Sequence, residues 1–251
     1  MTLHADERYD RINDSISLIQ KKEGLTFGTD AYLLSCFVRR RPRGFAADLG
    51  CGTGVIALLC AARGKFAHID AVELQQDFAL LAQRNVEHNQ MIDRITVRHQ
   101  DIRELKSSDF GRELHAVFCN PPYMKSGSGR LCRSDAKTVA RHDAEGSVFD
   151  FCAAAFRILR YGGDFYAVYR PERLADLICA MRENKIEPKE LCAVHADSAS
   201  PPSLILIRGK RGASAGLIYK RPLIIYTDCS HRVYTDEYRR IYETGEISYE
   251  L

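Results

Sequence analysis

Asn120-Pro121-Pro122-Tyr123 follows the strand-like run Ala116-Val117-Phe118-Cys119, and its residue types suit one kind of chemistry. A neutral Asn side-chain oxygen and a proline carbonyl are both acceptors. They can take the two N–H groups of an exocyclic amine or amide and leave its lone pair to attack a methyl donor. Such a nitrogen is a poor nucleophile because its lone pair is delocalised, so holding and orienting it is the useful act. The ring of Tyr123 can stack on the target plane. A Pro-Pro turn closing a strand beside a surface tyrosine would carry the same four residues. The choice between the two readings rests on what accompanies the tetrapeptide.

The accompanying element is the run of residues 45–54, an apolar strand that ends in Asp48-Leu49-Gly50-Cys51-Gly52-Thr53-Gly54 and leads into a helical stretch, residues 55–63, stopped by Gly64. Glycines there let a ligand approach the backbone and let the helix start close beneath it. The third glycine falls one position earlier than in the dinucleotide fingerprint, which disfavours nicotinamide and flavin cofactors. A donor without phosphates, S-adenosylmethionine, fits better, with Asp48 able to meet its ammonium group through backbone or water. The next strand-like run, residues 67–72, ends in Glu73-Leu74, about 20 residues past the glycines, where an acid takes ribose hydroxyls. A helix-initial acid would sit there equally comfortably by the helix dipole. After the strand-like residues 95–99, Asp101 can accept from an adenine amino group while Ile102 packs on the ring; alone, Asp101 reads as a capping acid.

Glycines after the first strand, Glu73 after the second, Asp101 after the third and the tetrapeptide after the fourth together resemble the class I S-adenosylmethionine-dependent methyltransferases of the Asn-Pro-Pro-Tyr type. Gly24-Leu25-Thr26-Phe27-Gly28-Thr29-Asp30-Ala31 with Leu33-Leu34, Arg141-His142, and the late residues 221–226 and 234–238 are similar to the bacterial valine tRNA adenine-37 N6-methyltransferases. The resemblance covers residues 8–243. It implies an α/β fold, a doubly wound Rossmann-like domain with a mostly parallel sheet and a C-terminal antiparallel hairpin. It implies S-adenosylmethionine bound by Thr29, Asp30, Asp48, Gly50, Cys51, Gly52, Gly54, Glu73, Leu74, Asp101, Ile102 and Asn120. It implies target chemistry at Asn120, Pro121, Pro122 and Tyr123, N6-methylation of an adenine in tRNA, and the anticodon loop as partner. Two alternatives share the tetrapeptide: glutamine N5-methyltransferases acting on release factors, and guanine N2-methyltransferases of ribosomal RNA. The former carry Arg-Pro-Glu-Thr-Glu where this chain has Phe27-Gly28-Thr29-Asp30, and a helical domain that the residues before Phe45 are too few to supply. A module that kept the fold and lost activity is the competing non-enzyme reading, against which the intact glycines and tetrapeptide speak.

With 251 residues, 45% of them hydrophobic, the chain can bury a core as one domain. The expected organisation is an N-terminal extension over residues 1–44 that contributes to the cofactor site, a core over 45–210, and a strand-and-helix tail over 211–251. No run approaches a bilayer span and no secretory leader is evident, so the expected location is the cytoplasm. Nine cysteines without a Cys-x-x-Cys pair point to reduced thiols and to neither disulfides nor a metal site. The net charge of +3 is too small to announce nucleic-acid binding. Arg39, Arg40, Arg41 and Arg43, read as a loop, and Arg208, Lys210 and Arg211 are candidate phosphate contacts. Residues 124–146, rich in Lys, Arg, Gly and Ser, suggest a lid over the substrate. Helices are expected over residues 75–89, over 148–159 until Gly162-Gly163 stops it, and from Pro171 toward Asn184. Late strands are expected over 190–195 and 203–208.

Overall fold

The computed structural model describes residues 3–13, 15–22, 27–122 and 146–247. Tyr123 and the basic segment that follows it, as far as residue 145, lie outside the described residues, as does the 24–26 part of the upstream signature.

Two strands, β1 (Glu7–Arg11) and β2 (Ser17–Lys21), form an antiparallel hairpin ahead of helix α1 (Thr29–Phe37). The main sheet then takes β3 (Arg41–Leu49), β4 (Phe66–Glu73), β5 (Ile95–His99), β6 (Leu114–Cys119), β7 (Leu159–Tyr169), β8 (Ile186–His195), β9 (Pro202–Arg211), β10 (Ile218–Tyr219) and β11 (Leu223–Ile224). Helices α2 (Val55–Ala62), α3 (Gln76–His88), α4 (Val148–Ile158), α5 (Leu174–Glu183) and α6 (Asp236–Thr244) complete it. The strand order is β10-β8-β9-β7-β6-β3-β4-β5, with β11 also on β8. β3, β4, β5, β6 and β7 pair in parallel, while β9 runs antiparallel to both β7 and β8. This is the expected doubly wound sheet with its late antiparallel hairpin.

The parallel strands alternate between two apolar layers, because successive residues point to opposite faces and both faces are covered. Ala46 and Phe118 join a core with α1, α2 and α6, while Ala47, Val117 and Cys119 join one with α4 and α5. From β3 the chain crosses to β4 on one side and later to β6 on the other. The C-terminal ends of β3 and β6 therefore flank the switch point where an open α/β sheet leaves a crevice.

Several boundaries differ from the sequence expectation. Gly162-Gly163 does not stop a helix: α4 ends at Ile158, and Leu159 is already extended and paired with Leu114. The glycines sit inside β7 as an irregularity in its register, Gly162 at φ +72. Pro171 opens a 3-10 turn, Pro171–Arg173, before α5. Four of the candidate phosphate contacts are engaged within the fold. Arg41 belongs to β3 and pairs with Asp164 at 2.9 Å, and Arg39 reaches Glu190 at 2.5 Å. Arg208, almost buried within β9, bonds both acids at 2.8 and 2.9 Å. Arg211 lies over the Phe156 ring at 4.3 Å. Register places Asp164 level with Ala46 and Ala116, below the strand ends that flank the crevice. The network ties the sheet together and does not face the site.

Candidate active site

The turn after β3 is built by three glycines at positive φ: Gly50 at +66, Gly52 at +54 and Gly54 at +81, the last capping α2. A Cβ at Gly50 would stand 3.2 Å from the Phe151 ring, while one at Gly52 would meet nothing within 4 Å. The second glycine therefore serves the turn's backbone and an open approach, and the first serves packing as well. Cys51 N–H donates to Val72 O at 3.0 Å, stitching the turn to β4. Glu73, at the end of β4, accepts from Gly52 N–H at 2.9 Å on one oxygen and from Gln75 N–H at 2.8 Å on the other. Its carboxylate is thus fixed in the crevice wall by backbone donors.

Asp48 is fully buried beneath this turn and accepts from Ala57 N–H at 3.1 Å. Burial, reinforced by the charge of Glu73, pushes its carboxyl up to about 8. It is not among the residues that face the crevice. Burial likewise drives the thiols of Cys51 and Cys119 well above their usual range, and neither has the character of a nucleophile.

On the next strand end Asp101 caps a 3-10 turn, accepting from Arg103 N–H at 2.8 Å, and it holds the Arg103 guanidinium at 2.6 Å. That hydrogen bonding keeps the Asp101 carboxyl below its usual value. Ile102 lies buried beside it. After β6, Asn120 donates through Nδ2 to Asp30 Oδ2 at 2.9 Å, joining the tetrapeptide to the first turn of α1.

Asp30, Gly50, Cys51, Gly52, Glu73, Leu74, Asp101, Ile102, Asn120 and Pro122 all line one crevice. Thr29, Asp48, Gly54 and Pro121 lie next to it in sequence without facing it. Sequence reasoning gave no site role to Phe27, Gly28, Ala31, Val55, Ile56, Gln75 or Phe151, which also line the walls. Phe151 follows Ser147, whose capping box with Asp150 starts α4. That start is readable as Ser-x-x-Asp, but not that the ring reaches Gly50.

The charge of this lining is informative. Among the described residues it carries three carboxylates, Asp30, Glu73 and Asp101, and no Lys, Arg or His. A ligand that is cationic and offers hydroxyl and amino hydrogens meets acceptors, so the chemistry of the lining fits a sulfonium nucleoside with an amino acid tail.

The family model described as methyltransferase small domain matches residues 21–178. A tRNA1(Val) (adenine(37)-N6)-methyltransferase of Vibrio cholerae is 34% identical over 119 residues, 47% of this chain and 48% of that protein. One of the same name from Tolumonas auensis is 28% identical over 189 residues, 75% of this chain and 77% of that protein. The chain thus spans about half the length of the first relative. The crystal structure of a predicted O-methyltransferase from Agrobacterium tumefaciens superposes with a TM-score of 0.70 at 24% identity, over 88% of this chain and 98% of that one. That likeness concerns the fold.

Proposed function

The chain belongs to the methyltransferase small domain family, and on that premise we propose that it methylates the N6 amino group of an adenine in tRNA, at position 37 of a valine tRNA. The observation that carries the reading is the crevice itself: the glycine turn after β3, Glu73 after β4 and Asp101 after β5 line it together with Asn120 after β6 and Asp30 from the first turn of α1. S-adenosylmethionine bound there would supply an electrophilic methyl group. Glu73 takes the ribose hydroxyls, Asp101 the adenine amino group, Ile102 and Leu74 the ring faces, and residues 50–54 the approach along the backbone. Thr29 and Asp30 stand toward the methionine end, with Asp48 beneath.

Asn120 and the Pro121 carbonyl accept the two amino hydrogens of the target, and Tyr123 provides a plane on which its base stacks. Extracting a base costs a few kcal/mol, least in a loop, and stacking returns about 1–3 kcal/mol. An anticodon loop is therefore an economical target. Catalysis on this scheme is positioning and alignment, since the methylated ammonium is acidic enough to lose its proton to water. The names of the relatives support the adenine and the tRNA; the departure at residues 27–30 from the Arg-Pro-Glu-Thr-Glu element weighs against release factors.

Incubation with labelled S-adenosylmethionine and, separately, total tRNA, ribosomal RNA and release factor tests the proposal. Label in N6-methyladenosine from tRNA is expected; label in a glutamine side chain or in N2-methylguanosine overturns the choice of substrate. Asn120→Ala is expected to cost at least about 10²-fold in turnover while leaving cofactor binding nearly intact. A variant that keeps most of its rate removes Asn120 from the orienting role.

A further inference from the structure

Asn120 poses a problem that its own side chain cannot solve. A primary amide has nearly the same shape at both ends and rotates about a broad, two-fold torsion. With its oxygen toward the target it accepts an amino hydrogen; with its nitrogen there it presents hydrogen to hydrogen. Something must decide between the two, and an error in either direction disables the site.

Asp30 is placed to decide. Its Oδ2 receives Asn120 Nδ2 at 2.9 Å, and a carboxylate can only accept, so this contact selects the nitrogen end of the amide. Its Oδ1 receives Ala31 N–H at 2.8 Å, anchoring the carboxylate in the first turn of α1, where the helix dipole favours negative charge. Gly28 makes the room: a Cβ there would fall 2.6 Å from Asp30 Oδ1. The preceding residue is held in turn, Phe27 N–H donating to the buried Gln20 of β2 at 2.5 Å. A charge-assisted bond from the nitrogen also polarises the amide toward a stronger acceptor at its oxygen.

Resting on the reading of Asn120 as the residue that orients the acceptor, we infer that Asp30 is a positioning residue for the reaction, fixing the Asn120 amide so that it meets the target amine with its oxygen. Gly28 belongs to the same device. The N-terminal segment thereby acts on the target side of the crevice as well as on the cofactor side.

The test compares Asp30→Ala, Asp30→Asn and Gly28→Ala with wild type, using an unmodified valine tRNA transcript for turnover and S-adenosylhomocysteine for calorimetry. Asp30→Ala is expected to lower kcat, measured at saturating S-adenosylmethionine, by about a hundredfold, beyond whatever it costs in the dissociation constant for S-adenosylhomocysteine. Asp30→Asn, whose amide oxygen can still accept, should recover about tenfold of that loss. Gly28→Ala, which alters no charge, should slow kcat in the same sense. The side-chain amide signal of Asn120 in a 15N spectrum, assigned by its absence in Asn120→Ala, should shift upfield in Asp30→Ala. Because that signal needs no turnover, it tests the contact even where the substrate assignment fails. The inference is overturned by an unmoved amide signal, by wild-type kcat in Asp30→Ala, or by an Asp30→Asn variant that loses as much kcat as Asp30→Ala, which would mark Asp30 as a charge and not as the acceptor that orients Asn120.

Discussion

Glu73 serves two masters: two backbone amides hold it, and its carboxylate forms part of the crevice wall. Glu73→Gln keeps the shape and removes the charge, turning an acceptor into a donor on one side. It is expected to raise the S-adenosylmethionine dissociation constant about 10- to 100-fold, the worth of a hydrogen bond to a charged group; calorimetry showing no change would leave Glu73 as a backbone anchor alone. Asp48, one strand away, is governed by burial. Its folded value of about 8 lies above the ordinary carboxyl value of 3.8, so the folded chain binds this proton more tightly than the unfolded one. Its contribution to stability is complete below about pH 4 and declines as the pH rises from 4 through 8. Asp48→Asn should therefore flatten the stability profile between pH 5 and 8, measured by urea unfolding; an equally steep profile would exclude Asp48 as its source. The acids at 48 and 73 both stood out in the sequence from their places at strand ends, yet only Glu73 faces the crevice. Their different fates did not show there, since burial depends on helices that arrive later in the chain.

At the level of elements, the N-terminal hairpin is attached by an unusual seam. Asn85 on α3 and Asn89 at its C-cap bond the backbone of β2 at Ile19 and Ser17. Four helical residues advance about 6 Å and two strand residues about 6.6 Å, so the two amides stand in for a neighbouring strand. Asn85 also donates to Thr53 O at 3.0 Å, linking the seam to the glycine turn. Asn85→Ala would strand a buried N–H and two carbonyls and should cost about 1–3 kcal/mol, whereas the half-exposed Asn89→Ala should cost less; urea midpoints rank them. The period of α3 showed in its sequence because apolar spacing is local. Its asparagines looked like any polar face, because their partners on β2 are more than sixty residues upstream. The same reason hid the contact of Asn120 with Asp30, while the glycines, Glu73 and Asp101 were readable because each motif sits at the end of its own strand.

For the molecule as a whole, the buried network of Arg208 with Asp164 and Glu190, reached by Arg39 and Arg41, couples the antiparallel edge to β3 at the middle of the sheet. Burial pushes the Glu190 carboxyl up, but Arg208 and Arg39 outweigh it and hold it below its usual value. Arg208→Met leaves two buried acids short of a cation and should destabilise by about 3–5 kcal/mol in urea unfolding. In the sequence these arginines resembled phosphate contacts, for their acids lie elsewhere along the chain and only the fold introduces them. The tail closes the structure. After β10 and β11 have been laid on β8, α6 returns to α1, where the Tyr32 hydroxyl donates to Tyr242 O at 3.0 Å and Ile247 N–H reaches Cys36 O at 3.4 Å. The helix that presents Asp30 is therefore braced by residues translated more than two hundred positions after it. The α1 wall of the crevice thus leans on residues that belong to none of its strands, and loosening the Tyr32–Tyr242 contact would be felt at Asp30 with the sheet itself intact.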